Sequence, residues 1–212
     1  MVPVRSVLAA LVARRKRVVT LDEAALAAEM QRLWEVMASA GLRPDGVVGI
    51  ATGGVRCAEH LRGRVAGGVM TCAMRRAGTA KKRRSPLVGL LARMPYLLTD
   101  ELRRAEDALL EQRAAGGQVP VATGALLADV AAIAARVRAE GLRTLAVIDD
   151  AVDSGGTLAC VMAALREALP PGTVLVSAVV TQTRPEPLVR PDFRLHDQVL
   201  CRFPWSFDFH GA

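Results

Sequence analysis

The chain has 212 residues, a length suited to one domain with a substantial core. It is 51% hydrophobic but only 3% aromatic, so Ala, Val and Leu must fill most of that core. A formal charge of +7 suits an anionic partner, and composition does not separate nucleic acid from a phosphate-rich small molecule. No apolar run approaches the roughly 20 residues that cross a bilayer, so no membrane-spanning helix and no membrane partner is expected. Cys57, Cys72, Cys160 and Cys201 stand far apart in apolar contexts without a CxxC pair, and read as buried, reduced thiols of a cytoplasmic protein. His60, His196 and His210 lack metal-ligand spacing.

Val4–Val18 is apolar and then basic, and reads as a surface helix entering the domain, because its apolar run is short and no cleavage site follows. Thr20-Leu21-Asp22-Glu23 has capping-box spacing and predicts a helix to about Ala40, stopped by Gly41. Gly46–Ala51 predicts a buried strand ending in Thr52-Gly53-Gly54, followed by a helix from Val55 to about Arg64. Val69–Met74 predicts a third strand. A long connection to about Val121 follows, opening with the cations Arg75, Arg76, Lys81, Lys82, Arg83 and Arg84 and holding a helical stretch over Asp100–Ala114. Its length implies a lid, an interface or a binding loop, although a basic run of this kind is also what a solvated loop carries. Thr123 caps a helix predicted to run to about Glu140, ended by Gly141.

The stretch Thr144–Thr157, TLAVIDDAVDSGGT, carries the most chemistry. Thr144–Ile148 predicts a buried parallel strand with Asp149 and Asp150 at its end. Gly155 and Gly156 permit a tight turn, and Thr157 opens the apolar-periodic helix LACVMAALREAL. Backbone amides at such a loop and helix start attract an anion, while adjacent carboxylates hold sugar hydroxyls or a hydrated Mg²⁺. Phosphate beside diol and metal describes a phosphorylated sugar. Pro170-Pro171-Gly172 then turns the chain into a strand over Val174–Val180, and Thr181–Pro191 reads as a proline-punctuated loop.

Ile148–Thr157 resembles the signature with which type I phosphoribosyltransferases bind 5-phosphoribosyl-1-pyrophosphate (PRPP), most like the purine branch acting on xanthine, guanine and hypoxanthine. The resemblance implies a single α/β domain with a parallel-sheet, Rossmann-like phosphoribosyltransferase fold. It also implies a long inserted hood or lid over 75–121 and a C-terminal base-pocket strand within 181–212. The implied reaction is Mg²⁺-dependent transfer of 5-phosphoribosyl from PRPP to a purine-like nitrogenous base, releasing pyrophosphate, with a homo-oligomer, a dimer, as the assembly. Asp149 and Asp150 would hold the ribose hydroxyls and the metal, Ser154, Gly155, Gly156 and Thr157 the 5-phosphate, and Asp153 the N7 proton of a purine. Asp153 could equally close the turn through its own backbone hydrogen bonds.

Pyrophosphate would fall to Thr52, Gly53, Gly54 and Arg56, with Arg75 and Lys81 from the hood. The family commonly has Arg where Thr52 stands, and Arg56 lies one helical turn on to replace it. Val199–Trp205 resembles the segment that closes the base pocket, with Leu200 in place of the usual stacking aromatic and with Phe203 beside it; the same residues also suit a strand that simply buries Phe203 and Trp205. Arg184 is the candidate reader of the base where xanthine/guanine enzymes place Lys. Two further readings stay open. One is a PRPP-sensing regulator binding nucleic acid through residues 81–84 and the basic N-terminal segment, although no helix-turn-helix or RNA-binding module is visible. The other is transfer to a non-purine acceptor.

Overall fold

The computed structural model describes residues 15–74, 94–113 and 119–211. Its elements in chain order are β1 (Val18–Thr20), α1 (Glu23–Ser39), β2 (Gly46–Ala51), α2 (Gly53–Glu59), a 3-10 turn at Arg62–Arg64, β3 (Val69–Ala73), α3 (Tyr96–Arg113) and α4 (Gly124–Glu140). Then come β4 (Thr144–Val152), α5 (Gly156–Ala168), β5 (Val174–Gln182), β6 (Phe193–Asp197) and β7 (Leu200–Arg202). Five strands form one parallel sheet in the order β3-β2-β4-β5-β6, and β1 pairs with β7 in a separate parallel ribbon.

Strand alternation sends successive side chains to opposite faces, and both faces are covered. Val48, Leu145 and Val147 meet Leu126, Val130 and Ile133 of α4 and Leu158, Val161 and Leu165 of α5. Val47, Ala146 and Ile148 meet Leu26, Met30, Leu33 and Met37 of α1 with Cys57 and Ala58 of α2. The sheet grows outward from β2 to β3 and then reverses to β4, β5 and β6. In open parallel sheets ligands bind beyond the strand ends at such a reversal, here between β2 and β4.

The described part of the long connection is α3, which lies across the β1–β7 ribbon. Arg202 of β7 is 1% exposed and is spent on four partners: Asp208 (2.8 Å), Thr20 (2.7 Å), Thr99 (2.9 Å) and Asp100 (2.6 Å). Its guanidinium also sits 4.2 Å from the Tyr96 ring centroid. Arg103 of α3 pairs with Asp208 as well, and Arg104 donates to the Lys16 carbonyl at 2.9 Å. Three segments remote in sequence are thereby fastened together.

Several boundaries differ from those the sequence predicts. Val18 opens a strand, because β7 offers it a parallel partner, so no helix runs through that end of Val4–Val18; the expected helix up to residue 14 lies outside the described residues. The cap of α1 is Asp22, accepting from the Ala25 amide at 2.7 Å, while Thr20 stays in β1. Helix α2 begins earlier and ends sooner than predicted, at Gly53–Glu59. Strand β4 continues past Ile148 to Val152 because β5 pairs beside it, so Asp149 and Asp150 lie within the strand's last residues. Strand β6 has no counterpart in the sequence reading; FRLHD is a half-buried edge strand of five residues whose alternation, Phe193 and Leu195 toward the core, is too short to stand out after the proline-punctuated loop.

Candidate active site

Asp149 and Asp150 occupy the C-terminal part of β4 at the sheet's reversal. Asp149 is 5% exposed and accepts from the Asp150 amide at 3.0 Å. Asp150 accepts from the Ala151 amide at 3.0 Å through one oxygen and from the Trp205 indole N–H at 3.2 Å through the other. The loop after β2 presses directly on the pair. A Cβ at Gly53 would stand 2.1 Å from an Asp150 carboxylate oxygen, and one at Gly54 would stand 2.3 Å from the Ile148 carbonyl oxygen. Only residues without a side chain let the two strand ends approach so closely. Thr52, joined to Ala51 by a cis peptide, makes no side-chain cap to α2. Thus Gly53 and Gly54, two of the three residues expected at pyrophosphate, lie directly against the acid pair.

Arg56 holds its guanidinium 5.2 Å from the Trp205 ring centroid, and Phe203 stacks on Trp205 at 5.0 Å. The C-terminal aromatics therefore bind the β2 loop to Asp150. This role for Trp205 is absent from the sequence reading, since nothing in the order of residues joins 150 to 205.

Ser154, Gly155, Gly156 and Thr157 form the next turn. Gly155 has φ +78°, a left-handed conformation, and a Cβ there would meet the Val189 amide nitrogen at 2.8 Å. The loop from Pro185 to Pro191 is tied over this turn by the Leu188 amide, which donates to the Ser154 carbonyl at 2.8 Å. Helix α5 starts with no capping side chain, and the Gly156 amide reaches the Ser154 hydroxyl at 3.5 Å. Such a helix start favours an anion. Asp153 accepts from the Thr183 hydroxyl at 2.7 Å, so the residue just past the end of β5 holds the third acid in place. Its carboxylate is thus oriented from outside its own turn, a contact the sequence reading did not identify.

A cavity of about 240 Å³ opens between these elements and α3. Asp150, Asp153, Thr183, Leu200, Phe203 and Trp205 line it from the sheet side. Arg103, Glu106 and Asp107 line it from α3, and these three were not singled out from the sequence. A helix face becomes a site wall only once its partner is known. Burial pushes the Asp107 carboxyl up, against the pull of Lys16, which donates to Asp107 and Glu111. Leu200 and Phe203 are at the cavity as expected. Arg184 follows β5 and is not among the lining residues; its carbonyl accepts from Gln182 at 2.7 Å. Arg75 and Lys81, with the rest of the 81–84 cluster, lie outside the described residues.

All four cysteines are buried. Burial, with Asp150 and Asp149 nearby, pushes the Cys57 thiol well up; burial also takes Cys72 and Cys201 to about 12. They remain neutral thiols at pH 7 and supply no nucleophile.

No protein-family model matches this chain, and no curated protein matches it in sequence. Among solved structures, xanthine-guanine-hypoxanthine phosphoribosyltransferase of Helicobacter pylori superposes with a TM-score of 0.53 at 16% identity, covering 91% of this chain and 95% of that one. Purine phosphoribosyltransferase of Pyrococcus horikoshii superposes at 0.51 and 15% identity, covering 89% and 94%. Among described residues, no helix is long and apolar enough to cross a membrane, and no cluster of three or more His, Cys, Asp or Glu forms a metal cage. The parallel sheet with its reversal at β2 and β4, together with these superpositions, shows that the chain has the fold of the phosphoribosyltransferases.

Proposed function

We propose that the protein transfers the 5-phosphoribosyl group from PRPP to a ring nitrogen of a purine-like base, releasing pyrophosphate. One observation carries this reading: Asp149 and Asp150 sit between the Thr52–Gly54 loop and the Ser154–Thr157 turn, with a cavity alongside that Leu200, Phe203 and Trp205 wall in part. That order suits pyrophosphate, ribose, 5-phosphate and base in turn. The two similar folds named as purine phosphoribosyltransferases support it.

The Ser154–Thr157 turn anchors the 5-phosphate, a handle whose binding energy positions the sugar without itself reacting. Asp149 and Asp150 accept from the ribose hydroxyls and favour positive charge growing at C1 as its bond to pyrophosphate lengthens. That C1–O bond breaks with its electron pair leaving on pyrophosphate, and the base nitrogen supplies the pair for the new C1–N bond. Amides of the β2 loop and the Arg56 guanidinium meet the charge on the departing oxygens. Asp153, held by Thr183, takes the proton that the ring nitrogen system gives up.

The acid pair fits Mg²⁺ as a shared rather than caged ion, because Mg²⁺ is commonly held by one or two carboxylates together with substrate oxygens. When bound there, Mg²⁺ would neutralise charge on pyrophosphate. The test is incubation with PRPP, Mg²⁺ and a panel of bases, following pyrophosphate. Release that depends on both PRPP and a base is expected. Binding of PRPP with no release for any base would overturn the transferase reading, and steeply salt-dependent binding of RNA in its place would favour a regulator.

A further inference from the structure

We propose that Arg103 of α3 is the residue that selects the acceptor, by donating to a carbonyl oxygen on its ring. This rests on the reading of the cavity as the acceptor's pocket and adds a specificity-determining residue to it.

Arg103 lines the cavity from α3, and its side chain is 25% exposed. Two partners hold its head. Nε donates to the Asp208 carboxylate at 2.8 Å and Nη2 donates to the other oxygen of that group, while Nη1 donates to the Cys201 carbonyl at 3.3 Å. A guanidinium has one N–H on Nε and a pair on each terminal nitrogen. One N–H on Nη1 and one on Nη2 are therefore left over. Most other side-chain N–H and O–H donors of the lining are given to the protein. The Trp205 indole goes to Asp150, the Thr183 hydroxyl to Asp153, and the Thr181 hydroxyl to the Val199 carbonyl at 2.7 Å. The Ser206 hydroxyl accepts from the Phe203 amide at 3.0 Å and keeps its own hydrogen, a second donor at the same cavity.

Arg103 and Arg202 face Asp208 and Asp100, two cations against two anions. The charge is thus met inside the protein, and what Arg103 has left to offer is its N–H groups. An uncharged ring carbonyl, with two lone pairs, accepts them. An amino group in the same place would set N–H against N–H, and the guanidinium would gain nothing for the water it loses. A site built to hydrogen-bond one group discriminates strongly against the analogue that lacks it. Arg184, which follows β5, is outside the lining, so the guanidinium at this pocket arrives from α3 instead.

The test has two separable parts. Calorimetry with PRPP and Mg²⁺ first establishes donor binding; absence of binding, or of pyrophosphate release with any base, would overturn the transferase reading and this proposal with it. Release is then compared for hypoxanthine and adenine, which differ in an oxo against an amino group at one ring carbon. The expected kcat/KM is at least ~10²-fold higher for hypoxanthine. An equal or higher value for adenine, or turnover confined to bases without a ring carbonyl, would overturn the proposal alone. Arg103→Lys supplies the second measurement, because it keeps a cation for Asp208 and loses the planar fork. It should narrow the preference for hypoxanthine by at least ~tenfold while PRPP affinity stays within about threefold. Arg103→Met, of similar length and without N–H groups, should do the same and stands in if the Lys variant does not fold. Rates falling equally for both bases, with the ratio unchanged, would make Arg103 a purely structural partner of Asp208 and overturn the assignment.

Discussion

Three contacts converge on Asp150: an amide of its own strand, the Trp205 indole and the close backbone of Gly53. Asp150→Asn keeps the shape and removes the charge that a growing oxocarbenium ion needs. Turnover should fall by an amount worth about 2–4 kcal/mol while thermal stability stays near that of the wild type. Steady-state rates with a calorimetric melting curve check it, and unchanged turnover would remove Asp150 from the reaction. At Asp153 the hydroxyl of Thr183, just past β5, fixes the carboxylate from outside the turn it sits in. Asp153→Asn should leave PRPP affinity within about threefold and cut single-turnover rates by ~10²-fold. Joint loss of affinity and stability would make Asp153 a turn-closing residue. The type and spacing of these acids are legible in the sequence because strand, acids and glycine turn are contiguous. Their partners Trp205 and Thr183 are not, since they arrive from other elements.

Element by element, the regular core is what periodicity reveals best. Strand β2 and helix α4 fall where the apolar pattern and the caps put them, with Thr123 accepting from the Leu126 amide at 3.2 Å and Gly141 in the left-handed conformation. Short strands such as β1 and β6 depend on a partner strand for their existence, so Val18–Thr20 carries no signal of its own. Tight packing between elements gives a direct test. Gly53→Ala would drive a methyl group into the Asp150 carboxylate, so it should abolish pyrophosphate release while the circular dichroism of the fold persists. Full activity in that variant would show that the loop can move aside. The contact of α3 with β7 has its own sensitivity. Burial pushes the Asp208 carboxyl up, but the Arg103 and Arg202 guanidiniums overcome it and hold it at about 2, below its ordinary 3.8. The stabilisation is therefore complete above pH 3.8 and is lost as pH falls through about 2, an effect of about 2 kcal/mol. Acid titration of stability should be flatter in Asp208→Asn across that window; an equal slope would show that the ion pairs contribute nothing there.

At the scale of the whole molecule, the sheet and its helices make a rigid platform, and the β1–β7 ribbon with α3 brings distant parts of the chain over one edge of it. The site lies at that seam. The sequence holds two tryptophans, and the fold gives them different surroundings. Trp34 is buried in the layer of α1 and α2 beneath the sheet. Trp205 has its indole N–H on a carboxylate and its ring under Arg56, at the mouth of the cavity. Light absorbed by these rings therefore reports two different things. In Trp34→Phe, where one emitter remains, PRPP with Mg²⁺ should change the intensity or wavelength of emission, because it redistributes charge around Asp150 and Arg56. In Trp205→Phe, the remaining signal should be silent to the ligand and respond only to unfolding. The pair of chromophores gives the protein an optical separation between occupancy and integrity, readable without label or coupled assay.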